Sequence, residues 1–189
     1  MNASKSAQLL MVAHNYEEGK MRVLTIKPKL DTRDGEYIQS RALGIKRKAD
    51  VIVAKEDSIM REFVVKGDVL RSDKRLGAVL IDEAQFLTAK QVDELREIVD
   101  TFEVPVMAYG LRTDAFTKLF EGSTRLFEVA DKFQEFKTIC PCCGSKAIFN
   151  MRIDKDGKPV FGGEQVQAGN NYLPVCSKYY KELKEEYCK

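Results

Sequence analysis

The sequence predicts an α/β protein built on a mostly parallel sheet. Three observations lead there. Ala78-Val79-Leu80-Ile81 and residues 104–108 are continuously apolar, as strands covered on both faces read. Between them, residues 89–102 place Val92, Leu95, Ile98, Val99 and Phe102 at helical spacing. Strand and helix patterns alternate as far as residue 136, and such alternation implies parallel strands joined by crossover helices on both faces of the sheet.

In chain order, Leu9, Leu10, Val12, Ala13 and Tyr16 predict a helix over 7–18, ended by Gly19. Arg22-Val23-Leu24-Thr25-Ile26 predicts a strand stopped by Pro28. Residues 31–48 carry many charges with little periodicity and predict a solvated loop. Val51-Ile52-Val53 reads as a short strand, and 57–65 as a helix. The character changes near residue 137, where cysteines, glycines and short strand-like runs take over. There Asp154-Lys155-Asp156-Gly157-Lys158 signals a hairpin turn between 148–153 and 159–161. The expected division is therefore a nucleotide-binding domain over 1–136 and a small β domain over 137–189.

Composition narrows the class of function. The chain has 189 residues, room for one α/β domain with an appendage. Lys plus Arg number 31 and Asp plus Glu 29, so no basic stripe argues for a nucleic-acid polymer. No apolar run approaches the ~20 residues that span a bilayer, and the N-terminus lacks a signal-peptide pattern. The expectation is a cytoplasmic protein without a membrane partner. Of the five cysteines, none precedes Cys140. An odd, clustered set reads more naturally as a metal site than as a disulfide scaffold.

Three segments can carry chemistry. Ser4-Lys5-Ser6 heads the first helix. In the pattern G-x-x-x-x-G-K-[ST], backbone N–H groups cradle phosphates, the Lys reaches the β- and γ-phosphates, and the Ser or Thr binds Mg²⁺. Only Lys-Ser is intact here, and Ser-Lys-Ser before a helix also reads as an N-cap. Val79-Leu80-Ile81-Asp82-Glu83-Ala84-Gln85-Phe86 is an apolar strand ending in two carboxylates. In an open parallel sheet the strand C-termini border the ligand crevice, so Asp82 can hold Mg²⁺ and Glu83 can take a proton from a hydroxyl nucleophile. A strand merely ending in polar surface residues is the bland alternative. Third, Cys140-Pro141-Cys142-Cys143-Gly144 has C-x-x-C spacing, with Cys176 in a later segment, which suits zinc; a redox pair or unrelated buried thiols are the alternatives. His14 is the only histidine and reads as structural or exposed.

In their order and spacing these segments resemble the zinc-containing, P-loop type of thymidine kinase. Met1-Asn2-Ala3-Ser4-Lys5-Ser6 is similar to the second half of that family's phosphate loop, and His14-Asn15-Tyr16-Glu17-Glu18 to the helix after it. Leu30-Asp31-Thr32-Arg33, Ile81-Asp82-Glu83-Ala84-Gln85-Phe86 and Gly110-Leu111-Arg112-Thr113-Asp114 resemble further family segments. Lys137-Thr138-Ile139-Cys140 and the stretch from Gly162-Gly163-Glu164-Gln165-Val166 to Tyr172-Leu173-Pro174-Val175-Cys176 are similar to its zinc domain.

The resemblance implies a P-loop NTPase (RecA-like) core, a small zinc-binding β domain and a lasso loop. It implies transfer of the ATP γ-phosphate to the 5′-hydroxyl of thymidine or deoxyuridine. Asn2, Ala3, Ser4, Lys5 and Ser6 would hold the triphosphate and Mg²⁺, with Asp31, Thr32, Arg33, Asp82, Ala84 and Gln85 completing that site and Glu83 as general base. Phe86, Leu111, Phe116, Gln165, Val166, Gln167, Ala168, Gly169 and Tyr172 would bind the nucleoside. Cys140, Cys143 and Cys176 would bind structural Zn²⁺. A homotetramer and feedback inhibition by dTTP are also implied.

The chain departs from the family at four points. It begins inside the phosphate loop, so the first strand and first Gly are missing. Ser4 stands where a Gly is usual. The family's Phe is Ala115 here, with Phe116 beside it, and Phe116 is expected to serve the pocket. The lasso is about two residues short, and Tyr179 takes the place of the fourth zinc ligand, leaving Cys188 or a water to complete the site. A non-catalytic nucleotide-binding protein that kept the fold is the alternative from another class. A different P-loop ATPase is a third reading, against which the zinc segment argues.

Overall fold

The computed structural model of the chain describes residues 4–32, 34–66, 75–166 and 171–187. It divides into a core unit, Ser4–Leu111 with Glu121–Phe133, and a second unit made of Arg112–Phe120 and the described part of Gln134–Lys189. Arg112–Phe120 thus belongs with the cysteine-bearing part of the chain.

The core unit holds a parallel sheet of four strands in the order β4-β1-β5-β6: β1 Arg22–Pro28, β4 Val51–Val53, β5 Leu76–Ile81 and β6 Val106–Ala108. Every residue of β5 is buried, as its unbroken apolar run requires of a central strand. Leu24, Ile26, Val51, Val53, Val79 and Ile81 pack with Ile59 and Phe63 of α2 (Ile59–Lys66) and Leu95 and Ile98 of α3 (Ala89–Phe102). Each such side chain, fully buried, contributes about 1.5–3 kcal/mol. A capping box starts α3: the Thr88 hydroxyl accepts from Gln91 N, and the Gln91 side chain accepts from Thr88 N. Gln91 Nε2 also donates to Ala54 O at 2.7 Å and Asp57 O at 3.0 Å, fixing the β4–α2 connection.

Helix α1 (Lys5–Glu18) packs on β1 and β5 through Leu9, Leu10 and Ala13, and His14 is exposed. At Gly77 a Cβ would lie 2.5 Å from the Tyr16 ring, so only glycine lets this helix approach the sheet so closely. Gly77 is also the extra residue where the β1–β5 register slips, from Arg22↔Leu76 to Val23↔Ala78.

Where the sequence predicts a loop over 31–48, the chain forms an antiparallel ribbon, β2 (Tyr37–Ser40) with β3 (Ile45–Lys48). Ile38 and Ser40 are buried, but the charged side chains of β3 face solvent, and this hides the alternation. Helix α4 (Glu121–Val129) is also unpredicted. Its opening Glu-Gly-Ser-Thr has weak helix propensity, and the small residues serve close packing. Gly122 and Ser123 are buried against the turn that follows β5, and the Ser123 hydroxyl donates to Leu111 O at 2.7 Å.

In the second unit, β9 (Phe149–Ile153) pairs antiparallel with β10 (Asn171–Val175), and β7 (Thr138–Ile139) with β8 (Lys146–Ala147). The predicted turn at 154–158 forms, with Asp154 N donating to Lys158 O at 2.9 Å. The predicted pairing with 159–161 is reduced to a single bridge, Ile153↔Pro159, because Pro159 has no N–H to extend a ladder; β10 pairs along the other edge of β9. Helix α5 (Ser177–Tyr187) closes the unit and buries Tyr180 beside Phe149 and Phe161.

Gly122 gives the sharpest test of this packing. A Cβ there would lie 2.6 Å from Ala84 O and 2.7 Å from Leu87 O, both backbone atoms with little room to yield. Gly122→Ala is expected to lose about 1–3 kcal/mol in urea unfolding despite its gain in helix propensity. A neutral or stabilising result would show that α4 can slide off the turn.

Candidate active site and metal centre

Parallel pairing brings the ends of β1 and β5 side by side, Ile26 opposite Ile81, and Asp82 N donates to Ile26 O at 3.0 Å. Asp82 is therefore held at the C-terminal edge of the sheet. The start of α1 meets it there: Ser6 Oγ lies 3.2 Å from Asp82 Oδ1 and 3.1 Å from Oδ2 and donates to the carboxylate. The two motifs that the sequence places 76 residues apart are thus in contact. Asp82 is 4% exposed. Burial pushes its carboxyl up to about 6, the neighbouring Glu83 charge adding to the rise, while the Ser6 hydroxyl, the Glu83 N–H and the Lys5 charge oppose it. Ser4, just before the helix, holds φ 54° and ψ 19° with no side-chain cap. This is the left-handed region that glycine enters freely, and it matches the position where the family's Gly is expected.

After Asp82 the backbone turns sharply. Glu83 has φ 50° and ψ 41°, a conformation costing a non-glycine residue of order 1–3 kcal/mol. One turn of 3-10 helix follows, Ala84–Phe86. Ala84 N donates to Tyr109 O at 2.9 Å, anchoring the turn to the end of β6. Gln85, 2% exposed, bridges in two directions. Its Nε2 donates to Glu83 Oε2 at 2.6 Å, and its Oε1 accepts from Leu111 N at 3.0 Å. A Cβ at Gly110 would lie 2.9 Å from that same Oε1, so this residue must be glycine for Gln85 to reach Leu111. Ala84 and Gln85 are buried, whereas Phe86 and Leu111 are half-buried.

Lys27 is a residue that sequence reasoning missed. Its side chain is 1% exposed and lies 3.2 Å from Asp31 Oδ2, itself 4% exposed. Lys27 Nζ also donates to Gly35 O at 2.9 Å and Tyr37 O at 3.0 Å. One buried cation thus fixes both Asp31 and the chain leading into β2. The available signal was a Lys directly after the apolar run of a buried strand. Thr32 is exposed.

The remaining candidates lie in the second unit. Asp114 Oδ1 accepts from Phe116 N at 2.8 Å and Lys118 N at 2.9 Å, while Oδ2 accepts from Gln165 Nε2 at 3.0 Å. Ala115 is buried, and its carbonyl accepts from the Tyr180 hydroxyl at 2.8 Å. Phe116 is half-buried with its ring 5.1 Å from the Arg152 guanidinium carbon, and the Tyr172 ring lies 5.9 Å from the same carbon. Val166 is half-buried and Gln165 exposed. Asn2, Ala3, Arg33, Gln167, Ala168, Gly169 and Cys188 lie outside the described residues.

Cys140, Cys143 and Cys176 form a cluster whose sulfurs all lie within 4.8 Å of one another, with Cys143 Sγ 3.6 Å from Cys176 Sγ. Thiolates around a tetrahedral zinc at ~2.3 Å sit about 3.8 Å apart, so the spacing fits such an ion. Tyr179 N points at Cys176 Sγ at 3.4 Å. Burial pushes the Cys140 thiol up, but N–H groups of Cys176, Cys142 and Cys143 and the Cys143 side chain outweigh it and bring it down to about 7. Backbone donors of this kind stabilise a thiolate. The Tyr179 phenol is pushed above its usual value, first by its hydrogen bond with Cys142 and then by charge and burial. It remains a neutral, poor ligand, and among the described residues the cluster offers three.

A parallel α/β sheet with a hydroxyl-bound, strand-end carboxylate, together with a three-thiol cluster in a separate unit, defines a class of candidate phosphotransfer protein with an accessory metal site. The chain belongs to the thymidine kinase family, whose profile it matches over residues 1–180. It is 47% identical to the thymidine kinase of Enterobacteria phage T4 over 184 residues, 97% of this chain and 92% of the relative. The thymidine kinase of Shouchella clausii is 44% identical over 183 residues, 96% and 92% of the two chains. That of Lactiplantibacillus plantarum is 46% identical over 183 residues, 95% and 91%.

The raised Asp82 carboxyl has a consequence for stability. Its folded value, about 6, exceeds the ordinary 3.8, so its contribution to stability is complete below pH 3.8 and is lost as pH rises through 6. Asp82→Asn cannot ionise. In metal- and nucleotide-free protein it is expected to gain about 2 kcal/mol over the parent above pH 7, relative to their difference at pH 4. Urea unfolding of both proteins across that range measures it. A difference that does not move with pH would mean Asp82 titrates as an ordinary carboxylate.

Proposed function

We propose that this chain is an ATP:thymidine 5′-phosphotransferase of nucleotide salvage, converting thymidine or deoxyuridine to its 5′-monophosphate on a P-loop NTPase (RecA-like) core. The observation that carries the reading is the Ser6 hydroxyl on the Asp82 carboxylate. It joins the Lys-Ser of a phosphate loop to the strand-end Asp that such sites need.

Each residue's work follows from its position. At the start of α1 the unpaired N–H groups and the helix dipole favour a phosphate, and Lys5 adds a cation. Ser6 and Asp82 would hold the Mg²⁺ that travels with ATP and neutralises charge on the transferred group. Asp31, kept in place by Lys27, with Thr32 and Arg33, would order the rim of the phosphate site. Glu83 would accept the proton of the 5′-hydroxyl, and Gln85 Nε2 at 2.6 Å holds that carboxylate in one orientation. In the second unit Phe116, Gln165, Val166 and Tyr172, with 167–169, would recognise the base. Cys140, Cys143 and Cys176 would hold a structural Zn²⁺. Family membership also supports a cytoplasmic homotetramer inhibited by dTTP, with no nucleic-acid or membrane partner. No described helix is long and apolar enough to cross a membrane.

Thymidine-dependent ADP production by the purified chain tests the activity, and Glu83→Gln tests the mechanism. The variant should bind both substrates nearly as well while turnover falls by roughly 10²–10⁴-fold. Unchanged turnover would remove Glu83 from the chemistry.

For the metal, elemental analysis of the purified chain should find one zinc per chain, and a chelator should expose the thiols of the second unit before the core unit unfolds. Well under one zinc, with Cys140 and Cys143 reacting freely with a thiol reagent, would show that packing alone holds this unit.

A further inference from the structure

We propose that Arg152 is the positioning residue that fixes the nucleoside-binding loop, and that it sets the affinity for thymidine rather than the rate of transfer. This rests on the reading that Gln165 and Val166 with Phe116 and Tyr172 recognise the base.

Arg152 sits in the middle of β9 with 0% exposure, the largest fully buried side chain described. A guanidinium is not buried by hydrophobicity, so its surroundings must satisfy it. Main-chain oxygens of one segment meet its two terminal nitrogens. Nη2 donates to Glu164 O at 2.7 Å and lies 3.4 Å from Gln165 O, and Nη1 donates to Gly162 O at 3.3 Å. The Phe116 and Tyr172 rings lie 5.1 and 5.9 Å from its central carbon, within cation–π range. One side chain therefore reaches the loop and two aromatic candidates of the substrate site, Phe116 and Tyr172.

The segment needs this anchor. Residues 162–166 belong to no helix or strand, and four of the five are exposed, so neither a ladder nor a core fixes their backbone. A second tether is the Gln165 side chain on Asp114 Oδ2. A loop that recognises a base must hold its backbone still, or binding has to order it at the cost of affinity. Only a planar fork can reach three carbonyls spread over four residues while lying near two rings; a Lys at this position offers one compact charge. On that reading the loop meets the base and not the transferring phosphoryl group, so its order affects ground state and transition state alike. Uniform binding of that kind appears in KM and leaves kcat.

The test compares Arg152→Lys and Arg152→Met with the parent. Steady-state kinetics are expected to show thymidine KM raised roughly 10–100-fold in the Met variant and partly recovered in the Lys variant. The KM for ATP and kcat should stay within about three-fold of the parent. Without nucleoside, amide hydrogen exchange over 162–166 should quicken in the Lys variant while β9 stays protected. Thymidine KM and loop exchange both at parental values would overturn the proposal. So would equal losses in ATP and thymidine binding with a lowered Tm, since those mark a residue that only supports the fold. If the Met variant does not fold, the Lys variant decides alone. A parent chain without thymidine-dependent ADP production would sink the functional reading instead; the exchange experiment then still reports whether Arg152 holds the loop.

Discussion

The pairing of β1 with β5 is the constraint on which the core site depends. Two parallel strands at the centre of the sheet, in register from Val23↔Ala78 to Ile26↔Ile81, must end at the same edge. Each then releases a charged residue into that edge: Lys27 from β1 and Asp82 from β5. The apolar runs before them carry these charges inward, leaving Lys27 1% and Asp82 4% exposed. Burial of Lys27 and Asp82 is thus a by-product of the core, and it imposes a need for partners that the site meets with Asp31, Ser6 and main-chain groups.

The second unit meets the same physical problem by other means. Its core is small, built from Met151, Val175, Tyr180 and two of the three clustered cysteines. Below a certain size a hydrophobic core alone does not fix a fold, and a metal or an internal polar scaffold takes over. Here the polar scaffold is present, and three thiols are gathered closely enough to hold a metal. The thiol cluster ties the β7–β8 turn to the end of β10, and Arg152 with Asp114 ties 112–120 and 162–165 to β9. The first acts at one end of β9 and β10, the second midway along β9. Loss of either would loosen a different part of the unit.

What could be read from the sequence divides along physical lines. Strand β5 and helix α3 were legible because a run of buried residues and a 3.6-residue stripe are local signals. Lys5-Ser6, Asp82-Glu83 and the cysteines stood out as spaced motifs, and the fold brings Ser6 to Asp82 and Cys140, Cys143 and Cys176 together. Lys27 and Arg152 were not. Each is a lone cation inside a strand, and only the fold shows that carbonyls from a later segment close around it. The ribbon β2–β3 was hidden because one buried position, Ile38, carries little periodicity among so many charges. Helix α4 was hidden for the opposite reason: its Gly and Ser serve contact with the turn at Ala84–Leu87 at the expense of propensity. Hairpin chemistry at 154–158 was correct locally, yet local chemistry cannot say that β10 would occupy the other edge of β9.

Backbone strain links these threads. Among the described residues, five non-glycine positions have positive φ, and two of them, Ser4 at 54° and Glu83 at 50°, lie beside the Ser6–Asp82 contact. Each costs energy that a glycine would largely avoid. Glu83 cannot be glycine if its carboxylate is to take a proton, so its strain is the cost of turning a charged side chain immediately after a buried strand. The turn is then held by Ala84 on Tyr109, by Gln85 on Leu111 and by the close approach of Gly122. Ser4 is different: nothing in its side chain compensates the strain, since it makes no capping bond. Its position is dictated from behind, by a helix whose Leu9, Leu10 and Ala13 are committed to the sheet and whose Ser6 must meet Asp82. A rigid helix seated at both ends leaves only the residue before it to absorb the mismatch. The local backbone there is the consequence of tertiary packing rather than of the residue that adopts it.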